Sequence, residues 1–233
     1  MVKKIKMTTV LVWGASVIFS LALIYVLLIS SFEFVIYGDM DYYQQEYEKY
    51  SVAEKLNMEM EDIMNVTEEM MAYLRGNREN LVVDTVVNGA EQEFFNESEI
   101  SHMEDVQELF IAGIQGRIRC LILLAIVIAV LLVSKVQWVK IFSKSYQYTV
   151  VGVGVLVGIV GALFATDFYK YFEIFHKIFF EVDTWIFDPN TSLMINMLPE
   201  GLFYDMTLRI VMIFLSSILA TFIGAGIIRK MHK

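Results

Sequence analysis

The sequence predicts a mainly α membrane protein: four transmembrane helices with an extracytoplasmic, mostly helical domain that contains a short β-hairpin. Three observations carry this. The 233 residues are 57% hydrophobic, with mean hydropathy +0.55, too apolar for an ordinary soluble domain. Four apolar runs approach the roughly 20 residues that a helix needs to cross a bilayer. The charges are also segregated: lysines and arginines flank some runs, and acids fill the connections between the others.

The first run extends from Thr8 to Phe32, behind Lys3, Lys4 and Lys6. It is longer than the apolar core of a cleaved signal, roughly 7–15 residues, and lacks a small-x-small exit, so it reads as a retained anchor. The others extend from Ile118 to Val133, Tyr148 to Ala165 and Thr207 to Ile228. The expected organisation is therefore 1–32, cytoplasmic N-terminus and first span; 33–117, extracytoplasmic domain; 118–165, second and third spans with a cytoplasmic loop; 166–206, an extracytoplasmic aromatic segment; and 207–233, the fourth span and cytoplasmic tail. Lys135, Lys140 and Lys144 lie between the second and third spans, and Arg229, Lys230 and Lys233 at the end. The positive-inside rule then places both termini in the cytoplasm. Cys120, the single cysteine, sits in an apolar run. An internal disulfide is excluded, no cysteine metal framework exists, and the chain has no lipobox of its own.

The large outer region is acidic, with 20 Asp or Glu in 33–115 against Lys49, Lys55, Arg75 and Arg78. Its opening, "YGDMDYYQQEYEKY", reads as amphipathic rings at the membrane interface. "SVAEKLNMEMEDIMNVTEEMMAYLRGN" reads as one helix. Ser51 and Glu54 suggest a capping box, Leu56, Met60, Ile63, Met64, Met70 and Leu74 a packing stripe, and Gly76-Asn77 the stop. "LVVDTVVNGAEQEFF" predicts a hairpin around Asn88-Gly89. A helix then opens at Asn96, with Glu99 three residues on. In the second outer region Phe168, Phe172, Phe175 and Phe179 form an apolar stripe opposite Lys170, Glu173, Lys177 and Glu181, the pattern of an interfacial helix. "WIFDPNTSLMINMLPEGLFYD" reads as an ordered loop.

Two of the three histidines fall on the outer side. His102 shares a helix face with Glu99 and Asp105, either of which could orient an imidazole. A solvated acidic face that happens to include a histidine fits the same pattern. His176 stands among Tyr169, Phe172, Phe179 and Phe180. It suits either an interfacial position or a lipid-accessible pocket. Arg117 and Arg119 mark the outer end of the second span, where snorkelling to headgroups is the ordinary role. Arg209 lies within the fourth span, a costly place for a cation, with Asp205 one turn earlier as the expected partner. Metalloprotease, serine-hydrolase and nucleotide-binding motifs are missing. A zinc site from Glu99, His102, Asp105 and His176 has no standard spacing behind it.

On two stretches, "FFNESEISHMEDVQELF" (94–110) and "FHKIFFEVDTWIFDP" (175–189), supported by "MLPEGLFYD" (197–205) and "YLRGN" (73–77), the chain resembles the lipoprotein intramolecular transacylases of Gram-positive bacteria. The resemblance covers nearly the whole chain. It departs in "DPNTSLMINMLPE", where the family pattern has an acid and this chain has Thr191 and Ser192. The resemblance implies an enzyme at the outer leaflet that moves the secondary-position acyl chain of a diacylglyceryl lipoprotein to the α-amino group of its N-terminal cysteine. It implies His102 and His176 as catalytic residues by general acid/base chemistry, with Glu99, Asp105 and Arg209 in support. The expected assignment is His102 as base and His176 as acid or oxyanion donor, the reverse being open. Partners would be lipoproteins and membrane lipid, without nucleic acid, and ester-to-amide transfer calls for no cofactor. Two other classes stay open on the residues alone: a non-enzymatic envelope sensor or accessory protein whose acidic domain binds a partner, and a metal-dependent lipid hydrolase.

Overall fold

A computed structural model describes residues 2–133, 138–180 and 184–232, with side chains from Val10 onward. Lys3, Lys4 and Lys6 lie outside the described side chains, and Lys135, Glu181 and Lys233 outside the described residues. The elements run α1 (Val2–Tyr37), α2 (Met40–Lys49), α3 (Val52–Leu56), α4 (Met60–Leu74), β1 (Asp84–Val87), β2 (Ala90–Glu93), α5 (Glu97–Val133), α6 (Val139–Thr166), α7 (Phe168–Phe179), α8 (Leu193–Met197) and α9 (Glu200–Met231). They form two compact units, one of 1–32, 115–163 and 210–233, the other of 33–114 and 164–209. Helices α1, α5, α6 and α9 contribute to both.

The first unit holds the apolar parts of α1, α5, α6 and α9, the four helices long and apolar enough to cross a membrane among the described residues. In α5, α6 and α9 the most apolar stretches bury only 11%, 0% and 6% of their residues. Helices that are apolar all round yet so little buried in protein need a hydrocarbon solvent. Where the helices do touch, Ala22, Val26 and Leu124 form one small core and Ile24, Tyr146 and Phe214 another. The Tyr146 and Thr221 hydroxyls meet at 2.6 Å. At Gly116 a Cβ would come within 2.5 Å of the Tyr25 hydroxyl, so a larger residue there requires the Tyr25 side chain to shift.

The second unit is built on a conventional core. Tyr43 and Tyr47 are among its deepest aromatic residues, 1% and 0% exposed. This corrects the interfacial reading of the tyrosine-rich stretch. Tyr47 exchanges a 2.8 Å hydrogen bond with Thr67, and Tyr43 donates to the Ile36 carbonyl. Satisfied hydroxyls of this kind allow tyrosine to act as a core residue.

The single helix expected over 51–77 is two. Ser51 is in the left-handed region and makes no cap, so the Ser51–Glu54 box does not form. The chain breaks at Asn57, φ +49, whose carbonyl accepts from Asn88 N and whose amide donates to the Asn88 side chain. A tertiary contact thus overrides local helix propensity. The expected stop holds: Gly76, φ +78, and Asn77 bond back to the Tyr73 and Ala72 carbonyls as a Schellman motif. The hairpin forms as expected, Val87 opposite Ala90 and Asp84 opposite Glu93. Asn88 and Gly89 both have positive φ, the requirement of a type I′ turn.

Asp167 ends α6 and caps α7, its side chain accepting from Lys170 N. The half-buried positions of α7, Tyr171, Phe172, Phe175 and His176, continue from buried Phe168 at helical spacing, whereas Phe179 is 53% exposed. The segment expected as a loop contains α8, and α9 already begins at Glu200. Ser192 caps α8, and Leu198 ends it because the next residue is Pro199.

Candidate active site

The site belongs to the second unit and begins at the first turn of α5. Asn96 Oδ1 accepts from Glu99 N at 3.0 Å, and Glu99 Oε2 accepts from Asn96 N at 2.9 Å, a reciprocal capping box. Glu99 is fully buried, and its other oxygen accepts from the Ser192 hydroxyl and from Met194 N at 3.1 Å. Both carboxyl oxygens are therefore occupied by Asn96, Ser192 and Met194. Among the described contacts Glu99 makes none with His102, contrary to the expectation that it orients the ring. It fastens α8 to the start of α5 instead.

One turn beyond Glu99, on the same buried face, lies His102, 7% exposed. Its ring stacks on that of His176, with centroids 6.2 Å apart and planes 27° from parallel. Phe180 and Phe187 press their edges on His102 at 4.9 and 5.6 Å. Phe172 at 4.4 Å, Trp185 at 5.0 Å and Phe180 at 5.4 Å surround His176. The two imidazoles share an aromatic enclosure built from α5, α7 and the segment after it.

The electrostatics follow from that enclosure. Burial, helped by the neighbouring His176 and opposed by Asp105, pushes His102 down from 6.5 to about 4. Burial lowers His176 as well, with the Phe172 carbonyl opposing. Both rings are neutral at pH 7. His176 Nδ1 lies 2.8 Å from that carbonyl. A carbonyl only accepts, so Nδ1 carries the proton and Nε2 offers its lone pair. His102 Nδ1 is buried and has no hydrogen-bond partner among the described residues, and the same is true of the Trp185 indole Nε1.

Half-buried Asp105 lines a cleft of about 310 Å³ with Glu108, Leu109, Ala112 and Phe179. Arg209 goes elsewhere. It pairs with Asp39 at 3.1 Å and lies over the Tyr42 ring at 4.3 Å. The expected Arg209–Asp205 pair does not form, because Asp205 is taken by Lys49 and by the Tyr50 hydroxyl. Neither Asp39 nor Tyr42 touches a histidine in the described contacts. Among the described residues no group of three or more His, Cys, Asp or Glu is placed to hold a metal ion.

Residues 17–203 match the family described as lipoprotein intramolecular transacylase Lit. The chain belongs to the Lit family. Family membership makes it an enzyme, an intramolecular transacylase, and the family name points to lipoprotein as its substrate. Solved structures agree in fold. The in meso structure of the membrane integral lipoprotein intramolecular transacylase Lit from Bacillus cereus has TM-score 0.72 at 18% identity, covering 95% of this chain and 97% of that one. A form of that protein with a histidine-to-arginine mutation has TM-score 0.77 at 17% identity, covering 99% and 97%. A histidine-to-alanine form has TM-score 0.74 at 17% identity, covering 98% of each. No curated protein matches the chain.

Sequence reasoning singled out both histidines, which the fold brings into one enclosure, but gave no place in it to Ser192, Trp185 or the Phe172 carbonyl. The last has no side-chain signature. Trp185 carries one only as part of "FHKIFFEVDTWIFDP", where it reads as another aromatic.

Proposed function

We propose that this Lit-family chain moves the acyl group on the secondary glycerol oxygen of a diacylglyceryl lipoprotein to the α-amino group of its N-terminal cysteine, using His102 and His176 as the proton-handling pair. The observation that supports this is the stacked imidazole pair inside one aromatic enclosure, both rings neutral and one with a defined lone pair. An α-amino group has a pKa of about 7.7–8.0, so a fraction is free to attack near neutrality. Attack forms the N–C bond and a tetrahedral oxyanion. The attacking nitrogen, now acidic, gives its proton to His176 Nε2. Collapse breaks the ester C–O bond, and His176 returns the proton to the departing glycerol oxygen. The products are an N-acyl cysteine and a free secondary hydroxyl.

The assignment of His176 as base reverses the first expectation, and the Phe172 hydrogen bond is the reason. His102, kept neutral by burial, hydrogen-bonds the departing oxygen. Asp105 offsets the positive charge while the pair holds the extra proton. Glu99 positions α8 and the start of α5, and Arg209 positions α2 against α9. Amine and ester belong to one molecule, so holding them together supplies much of the acceleration, about 7–11 kcal/mol in favourable cases. The proposed setting is the outer leaflet of a bacterial membrane with both termini cytoplasmic.

The test is expression of the wild type, His102→Ala and His176→Ala in cells with one tagged lipoprotein, followed by mass spectrometry of its N-terminal peptide. The wild type should give the N-acyl lyso form, and each variant, inserted at normal levels, should leave the diacyl form. Unchanged conversion in both variants refutes the reading.

A further inference from the structure

The reaction generates an oxyanion, and neither histidine is free to stabilise it throughout. His176 carries the proton in transit, and His102 faces the departing oxygen. A transition state with developing negative charge in a dry site needs a fixed donor aimed at it. One donor in the enclosure has no other task. The Trp185 indole Nε1–H is buried and unpartnered among the described residues. Its ring lies 5.0 Å from His176, with planes 38° apart.

A buried unpaired donor opposes folding, and tryptophan normally finds a partner when buried. Where a protein leaves such a group unsatisfied, the cause is usually found in function. A phenylalanine would fill the same enclosure, already lined by Phe172, Phe180 and Phe187, without that penalty. Among the described residues, the buried unpartnered side-chain atoms also include His102 Nδ1, on the ring already assigned to the departing oxygen, and, away from the enclosure, Tyr37 Oη and Thr85 Oγ1. Neither Tyr37 nor Thr85 has a described contact with His102 or His176, whereas Trp185 flanks the ring assigned as base.

Resting on the proposed function, we infer that the Trp185 indole N–H donates the hydrogen bond that receives the substrate's acyl carbonyl oxygen as it becomes an oxyanion. The bond forms as the carbonyl π pair moves onto oxygen and is released when the amide carbonyl re-forms. Trp185 transfers no proton. The interaction strengthens with charge, so it acts on kcat more than on KM.

The experiment uses the full-length enzyme in detergent with a synthetic diacylglyceryl-cysteine lipopeptide. Trp185→Phe is compared with site-specific incorporation of benzothienylalanine at 185, which keeps the bicyclic shape and replaces N–H by sulfur. If Trp185→Phe does not fold, the isostere decides alone. The expected result is a kcat about 10²–10³-fold lower, with KM within about twofold and a thermal midpoint equal to or above the wild type, since an unpaired buried donor has been removed. A kcat within about threefold of wild type overturns the inference, as does a loss confined to KM or one that tracks falling stability. His102→Ala and His176→Ala, run alongside, separate the two readings. Full activity in those variants removes the dyad itself, whereas inactive histidine variants beside a fully active isostere remove only the role of Trp185.

Discussion

Glu99 and Ser192 are joined by a 2.5 Å hydrogen bond, hydroxyl to carboxyl oxygen, that links the first turn of α5 to the cap of α8. Ser192 also accepts from Ile195 N, so one hydroxyl serves both the inter-element contact and the helix end.

Glu99→Gln keeps the shape but turns one acceptor into a donor. Whichever way the amide faces, it opposes either Asn96 N–H or the Ser192 and Met194 donors. The expected cost is about 1–3 kcal/mol of stability, read as a lowered thermal midpoint in detergent. Ser192→Asp should destabilise at pH 7 by setting two carboxyls together. A Ser192→Asp protein as stable as wild type at neutral pH would contradict the account.

The lowered basicity of His102 gives a pH dependence with a definite sign. Between 6.5 and about 4 the unfolded chain holds a proton on this ring and the folded chain does not. Stability from this group is full above pH 6.5, declines as pH falls toward 4, and is level below, a total on the order of 3 kcal/mol. Denaturation of wild type and His102→Gln across that window should show the steeper loss in the wild type. Parallel curves would place His102 in a more polar setting than the enclosure described.

Arg209 and Asp39 are 33% and 43% exposed along their side chains, so their pair is worth no more than about 1 kcal/mol. Arg209→Lys gives up planar stacking on Tyr42 and should lower stability slightly, leaving kcat within about threefold. A 10²-fold loss of kcat would mean that Arg209 reaches the oxyanion after all.

The fold was legible where a signal needs only neighbours in the chain. The apolar runs gave the four spans, Asn88-Gly89 the turn, and the Asn96/Glu99 spacing the start of α5. Readings failed where a distant residue decides. Asn57 breaks the 51–77 helix because Asn88 docks on it. Tyr43 and Tyr47 enter the core because Ile36 and Thr67 satisfy their hydroxyls. Asp205, one turn from Arg209, is claimed by Lys49 and Tyr50. In the site, the histidines could be named from the residues around them, but the tautomer of His176 depends on a backbone carbonyl that no side-chain pattern encodes. The isolation of Trp185 is a property of its surroundings alone.

The central claim is that His102 and His176 work as one unit on one substrate molecule. The measurement that tests it most directly is single-turnover kinetics on a synthetic diacylglyceryl-cysteine lipopeptide for the wild type, His102→Ala, His176→Ala and the double variant. A cooperating pair predicts strong non-additivity, each single variant losing nearly as much rate as the double. Losses that simply multiply, or one single variant that retains the wild-type rate, would contradict it.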